Sequence, residues 1–489
     1  MEIVIRLIEK ILIIYFTLYL LTDVLLYLYA ILVFFLRKPG NNEHLDYERH
    51  SISIIVPAYN EAVSVVTCTD MLAELDYPDF EIIVVNDGSK DATMDVLHKY
   101  YSLITENKTN EDLLKTERII AAYTVADKNI IILDKENGGK ADAINAGINY
   151  ARGDYICTID ADSVMDQQAL KAVIAPFIKN KQTIVSGGQI AVSNDVHLEN
   201  NKVVNSKTPK NIWVQWQIIE YIKSFLISRI GLSKIDALLI MSGAFSVFKK
   251  KDLINVGGFL SKNNTHPYIE KHIGMGKQTV CEDMEVVVRL WEYKHNMKEK
   301  AKVQFVPEAI CWTEVPDNPS NLFKQRSRWH QGLGETLKLH RNMIFEPKYG
   351  ITGLLGLPYY LFFEFFSPLA KIFSLAFVVV AAHYGLLNIT WVLLLLISVM
   401  LTTAIIMSSI TAIIEFWSIK NAQANRDALR YKSFGNWVWL ILAGILAEFS
   451  YSFFKIAAQI NGIYSFIKKK HDWKKFDRKG IQNKELPTE

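Results

Sequence analysis

Asp160 and Asp162 in the stretch TIDADS stand two residues apart at the end of an apolar, β-prone run. Alternate residues of an ideal strand share a face, so the two carboxylates would converge and repel unless a cation lay between them. Mg²⁺ or Mn²⁺, hard ions that take oxygen ligands and also bind diphosphate, suits that place. A polar strand end, with Asp162 or Ser163 capping the next helix, accounts for the same residues without any ligand. Asp87 in NDGS follows a second such run, with Gly88 available for a tight turn. In GGKADAIN the Gly138-Gly139 pair precedes Lys140 at the start of a helical pattern, a combination able to hold a diphosphate. It lacks the spacing of a P-loop.

Two further groups complete the chemistry. Glu282 and Asp283 in CED lead a stretch with apolar Val286, Val287 and Leu290. Acidic residues in a first helical turn are favoured by the helix dipole alone, whereas a carboxylate aimed into a site would serve as a base. In QRSRW, Gln325, Arg328 and Trp329 fall at i, i+3 and i+4, one face of a helix. A guanidinium forks onto phosphate while an indole stacks on a sugar or base plane. A basic–aromatic helix beside a membrane also serves as an interfacial anchor.

The elements that must position these residues are legible in outline. SISIIVPAYN, FEIIVVNDGS, NIIILDKENGG and GDYICTIDADS each read as a buried strand ending in polar or Gly-rich residues, with helix-length stretches between them. Continuous Val/Ile runs predict strands buried on both faces, and hence an α/β fold with a largely parallel sheet. Ligands of such sheets lie beyond the carboxyl ends of the strands, where the candidate residues collect.

Apolar segments bracket this block. The run from about 11 to 36 is interrupted only by Asp23, and crossing a bilayer takes about 20 such residues. Arg37 and Lys38 follow it, which places the next block in the cytoplasm by the positive-inside tendency. The expected organisation is a membrane anchor over 1–38, a cytoplasmic domain over 39–345 with interfacial helices toward its end, a membrane region over 346–468 and a basic tail over 469–489. Spans are expected at about 354–384, 389–417 and 435–467. The last holds Glu448, Lys455 and Gln459 and is read as partly interfacial or re-entrant, because a full crossing would export the basic tail. The protein is thus expected in the cell membrane, multi-pass and in contact with the bilayer.

Half of the 489 residues are hydrophobic, and the formal charge of +3 gives no sign of a nucleic-acid partner. Four scattered cysteines, with no C-x-x-C pair, fit reduced thiols and argue against a disulfide framework or structural zinc.

Taken in order, Asp87 in NDGS, Lys140 in GGKADAIN, Asp162 in DAD, Asp283 in CED and Gln325 to Trp329 in QRSRW resemble the processive family 2 glycosyltransferases. These are membrane synthases of cellulose, hyaluronan, chitin and poly-N-acetylglucosamine, and the sequence is most similar to bacterial poly-β-1,6-N-acetylglucosamine synthase-like members. The resemblance covers about residues 50 to 335. It implies a GT-A type, Rossmann-like glycosyltransferase domain flanked by transmembrane and interfacial helices, using Mg²⁺ or Mn²⁺. It further implies that Asp87 contacts the uridine, that Asp160 and Asp162 hold the nucleotide and its metal (Asp162 as the metal ligand), and that Lys140 lies near the donor. Asp283 becomes the general base, and Gln325, Arg328 and Trp329 hold the diphosphate and the acceptor end. Ser242 and Gly243 in MSGAF match the acceptor-side loop loosely, and Trp473 resembles a gating-loop tryptophan in a poorly matching context. Cys281 stands where the family often has threonine. The short tail leads us to expect no appended cyclic-dinucleotide-binding domain.

The activity so implied is inverting transfer from a UDP-sugar, with UDP-N-acetylglucosamine the first choice, to a growing β-linked polysaccharide passed across the membrane, with room for accessory export proteins. Two alternatives share parts of the pattern: a non-processive enzyme that loads a sugar onto a lipid carrier, and a transporter or sensor with a nucleotide-binding domain.

Overall fold

The computed structural model describes residues 2–36, 44–106, 113–199, 202–206, 208–387, 389–421 and 434–469. Arg37, Lys38, the basic loop after Asn421 and the tail carrying Trp473 lie outside the described residues.

The strands are β1 (Ile52–Ala58), β2 (Phe80–Asp87), β3 (Leu103–Thr105), β4 (Ile119–Val125), β5 (Ile130–Lys135), β6 (Tyr155–Ile159), β7 (Ser163–Met165), β8 (Thr183–Val192), β9 (Val196–Glu199), β10 (Lys202–Ser206), β11 (Phe245–Lys249) and β12 (Lys302–Thr313). Ten of them form one sheet in the order β3-β4-β5-β2-β1-β6-β11-β8-β12-β7, and β9 with β10 makes a separate hairpin. The four runs read as strands from the sequence are β1, β2, β5 and β6, and they pair in parallel. Their side chains are buried almost without break, which is why alternation is missing from the sequence.

The sheet as a whole is mixed rather than largely parallel. Outside the central four strands β8 and β12 pair in parallel, while β3, β4, β7 and β11 join antiparallel. The added strands are short or irregular: β7 has three residues, and β12 shifts register against β8 twice. Neither kind of strand leaves a long Val/Ile run in the sequence.

At the carboxyl end of the central strands the register sets Asp87 of β2 opposite Lys135 of β5. Lys135 is fully buried, its Nζ 2.7 Å from Asp87 Oδ1 and 2.7 Å from Asp142 Oδ1. Removing the cation would strand two buried carboxylates. Lys135→Met is therefore expected to destabilise the protein by about 3–5 kcal/mol, measured by thermal unfolding in detergent. An unchanged midpoint would show that the triad carries no net weight.

Two described helices are long and apolar enough to cross a membrane, over Ile3–Val33 and Val392–Ile410. The segment read as a span at 354–384 comprises two pieces, Thr352–Phe365 and Ser367–His383, meeting at 46°. Pro368 at the start of the second piece cannot donate into the preceding turn. Gly435–Phe449 and Tyr451–Lys468 meet at 51°. The first helix packs against this region: Tyr15 donates to the Phe362 carbonyl at 2.8 Å, and its ring lies 5.8 Å from that of Phe363.

Candidate active site

The helix Lys140–Tyr150 begins directly after the Gly-Gly pair. The Gly138 and Gly139 N–H groups donate to the Asp87 carboxylate at 2.9 and 2.8 Å, and Asn137 Nδ2 adds a third bond at 3.1 Å. With Lys135 these donors use the roughly four acceptor positions a carboxylate has. Asp87 is buried and does not line the cavity described next. Its carboxylate ties down the turn from which Lys140 projects.

Lys140 reaches Asp160 Oδ1 at 2.6 Å and Glu282 Oε1 at 3.4 Å. Burial alone would depress its pKa, but the Asp160 and Glu282 carboxylates outweigh that and raise it above the usual lysine value. Glu282 and Asp283 open the helix Glu282–Asn296, as their place before an apolar-periodic stretch predicts. The Gly243 N–H donates to Asp283 Oδ2 at 2.9 Å, and the Met284 N–H donates to Oδ1 at 2.9 Å. A Cβ on Gly243 would stand 3.1 Å from Lys140 Nζ and 3.3 Å from Asp283 Oδ2. The MSGAF loop therefore sits between the lysine and the carboxylate, and glycine is what permits that approach. Desolvation first, then the neighbouring Glu282, pushes the Asp283 pKa above the usual carboxylate value, which suits a base.

Gln325, Arg328 and Trp329 share one face of the helix Pro319–Leu339. They line, with Lys140, Asp160, Ser242, Gly243 and Asp283, a single cavity of about 330 Å³. Its wall continues into the apolar region through Tyr359, Tyr360, Glu364, Lys455 and Gln459. Glu448 is outside this wall and pairs with Lys223 at 3.0 Å.

Asp160 and Asp162 are not on one strand face. β6 stops at Ile159, and a turn closed by the Ser163 N–H to the Asp160 carbonyl at 3.0 Å follows. The turn sends Asp160 into the cavity while Asp162 packs beneath, 4% exposed, its Oδ1 accepting from the Ser163 hydroxyl. Strand alternation does not extend through a turn, so the convergence expected from i and i+2 is not what places these groups. Among the described residues no three His, Cys, Asp or Glu side chains group as a metal site. Two neighbouring carboxylates still fit a divalent ion that draws its other ligands from diphosphate and water, the common mode for Mg²⁺.

The sequence reading passed over Arg326 in the QRSRW helix. Arg326 is buried, 2.6 Å from Glu220 Oε2, and its guanidinium lies 4.2 Å from the Trp329 ring centroid. Glu220 also accepts from the Tyr451 hydroxyl at 2.7 Å and lies 3.5 Å from Lys455. Burial would raise the Glu220 carboxyl, but Arg326 and Lys455 hold it down at about 2. A lone glutamate in the apolar stretch IWVQWQIIEY was the available signal, since such a residue needs a buried partner. The helix is clamped from a second side, where Asn461 Nδ2 donates to Ser327 Oγ at 2.8 Å and a Cβ on Gly462 would meet the Ser327 carbonyl at 2.5 Å. All four cysteines are buried and free.

The mixed sheet, with acid and lysine groups gathered beyond its central strand ends, defines a sugar-transferase fold of the GT-A type. A mannosyltransferase of Pyrobaculum calidifontis, solved with GDP-mannose and Mn²⁺, superposes with a TM-score of 0.55 over 95% of this chain and 99% of its own, at 17% identity, a likeness of fold. Glycosyl transferase family 2 matches residues 53–256, and Glycosyl transferase family group 2 matches residues 155–449, more than half of the chain. The chain belongs to this family and is a glycosyltransferase. It is 29% identical over 313 residues to the poly-beta-1,6-N-acetyl-D-glucosamine synthase of Staphylococcus epidermidis, covering 63% of this chain and 62% of the relative. It is 28% identical over 301 residues to the synthase of the same name from Staphylococcus aureus, covering 62% and 58%. The matched segment thus spans less than two thirds of these relatives.

Proposed function

We propose that the protein is a membrane-embedded, inverting, processive synthase that transfers N-acetylglucosamine from UDP-N-acetylglucosamine to a growing β-linked polysaccharide. The observation that carries this reading is the shared cavity, which holds Lys140 and Asp283 at one end and continues along Tyr360, Glu364, Lys455 and Gln459 among the apolar helices. In this reading residues 39–345 form the cytoplasmic catalytic domain, and the flanking apolar helices provide the passage. A polar chain leaving through lipid needs a lined path, and intramembrane ionisable residues mark such paths. The synthase names of the staphylococcal relatives support the choice of donor sugar.

In the transfer the acceptor hydroxyl oxygen attacks the anomeric carbon, and the bond from that carbon to the diphosphate breaks with its electron pair leaving on UDP. Asp283 takes the hydroxyl proton. The Gly243 and Met284 N–H groups hold the carboxylate in place, and Lys140 and Arg328 supply positive charge where it grows on the leaving group. A divalent ion held by Asp162, with Asp160 beside it, would neutralise part of the diphosphate charge. Trp329, held by Arg326, offers the acceptor end an aromatic plane.

Purified protein in detergent or nanodiscs is expected to release UDP from UDP-N-acetylglucosamine and to form product long enough to resolve on a gel. A single-sugar product, or UDP release only with another sugar nucleotide, would replace this reading. Trp329→Ala is expected to shorten the product by about tenfold or more, the effect of losing roughly 1.4 kcal/mol of acceptor binding. Donor hydrolysis should persist. Product of wild-type length would remove Trp329 from the acceptor end.

A further inference from the structure

Arg229 is a buried cation that the motifs leave unassigned. It is 3% exposed and lines the catalytic cavity. Its Nη1 is buried with no hydrogen-bond partner among the described residues, and its guanidinium lies 4.3 Å from the Phe225 ring centroid. A guanidinium carries five donors and no acceptor, and burying one without oxygen partners is expensive. Arg326, in the same cavity wall, has Glu220 for that purpose.

Two features hold Arg229 where it is. Its helix, Ser228–Lys234, follows the π-helical turn Ile222–Ile227. In the same cavity wall, Tyr360 and Glu364 belong to a second π-helical turn, Tyr360–Phe365. Such turns are rare and concentrate at functional sites. Behind Arg229, Gly231 lies against Leu26 of the first apolar helix, so the side chain faces the cavity with a membrane helix at its back.

The direction of the cavity identifies the oxygens it meets. Asp283 interacts electrostatically with Lys140 and with Arg229. Lys140 groups with Asp160 and Glu282, whereas Arg229 groups with Tyr360 and Tyr221 on the side that continues into the apolar helices. Asp283 thus has Lys140 near it on one side and Arg229 on the side that continues into the apolar helices.

Building on the transferase reading above, we propose that Arg229 is a specificity-determining residue of the acceptor subsite, donating hydrogen bonds to ring, hydroxyl or amide oxygens of the terminal saccharide unit. It acts on the acceptor and not on the donor diphosphate.

The test compares wild type, Arg229→Lys and Arg229→Met for UDP-N-acetylglucosamine affinity and for transfer to β-linked N-acetylglucosamine oligosaccharides. In Arg229→Met the half-saturating oligosaccharide concentration is expected to rise about 10–100-fold, the weight of a charge-assisted hydrogen bond. Arg229→Lys should fall in between, and donor affinity should stay within about twofold, a split that general unfolding would not give. Unchanged acceptor saturation in both variants overturns the proposal, as does donor affinity falling by the same factor. Should the methionine variant bind no donor at all, the lysine variant decides by the same two criteria. Wild-type protein that releases no UDP from UDP-N-acetylglucosamine fails at the earlier step and takes this assignment with it.

Discussion

Asp283→Asn is expected to abolish polymer synthesis while UDP-N-acetylglucosamine still binds. Asparagine keeps the shape, and its single carbonyl oxygen can accept from one of the Gly243 and Met284 N–H groups that reach Oδ2 and Oδ1 at 2.9 Å. It cannot take a proton. General-base assistance is worth about 10²–10⁴ in rate, so turnover should fall by that factor with donor affinity little changed. The pH profile gives a second, independent signature. Burial and Glu282 raise the Asp283 pKa, so wild-type activity should fall as pH drops through that raised value, where the carboxylate becomes protonated. The asparagine variant should lack this limb. The same burial that raises the pKa opposes the ionised form in the folded protein at neutral pH. Asparagine removes that cost but leaves one of the two N–H groups without its acceptor, so the thermal midpoint should change little. Wild-type turnover in the variant, or loss of donor binding together with activity, would remove Asp283 from the role of base.

Arg326→Met is expected to have the largest effect on stability in the catalytic region. Arg326 and Glu220 are paired at 2.6 Å in the cavity wall, where both are largely buried, and removing one partner leaves the other charge buried, at a cost of about 3–5 kcal/mol. The double variant Glu220→Gln/Arg326→Met should recover part of the loss, because no charge is then stranded, and the double-mutant cycle measures the coupling directly. Thermal unfolding in detergent reads both. Because the guanidinium also stacks 4.2 Å from the Trp329 centroid, product length should fall in the single variant even below its unfolding temperature. A double variant no more stable than the single would show that the pair itself contributes little.

The central strands were legible because parallel strands covered on both faces leave runs such as FEIIVVND and YICTI. The antiparallel additions were not. β7 spans three residues and β12 is irregular against β8, and edge or interrupted strands carry no distinctive period. Helix starts were equally readable where Gly-Gly precedes Lys140 and an acidic pair precedes an apolar stretch. The bend between Thr352–Phe365 and Ser367–His383 was hidden, because hydropathy measures composition along the segment and says nothing of its axis.

The site divides in the same way. Lys140, Asp160, Asp283, Gln325, Arg328 and Trp329 could be named from residue type and local spacing, and they meet around one cavity. Asp87 was equally visible, whereas the four donors that tie it to Lys135 and the Gly138-Gly139 turn were not. Glu220, Arg326 and Arg229 gave little notice of their roles, since a charged residue in a mostly apolar helix does not reveal what it faces. By itself the sequence determined the chemical groups, their order and the apolar segments that flank them, because these are properties of residues and their near neighbours. Only the tertiary structure decided which carboxylate is spent on bracing, which arginine is paired, and where the cavity leads, because burial and pairing depend on elements more than a hundred residues apart in the chain, as with Glu220 and Arg326.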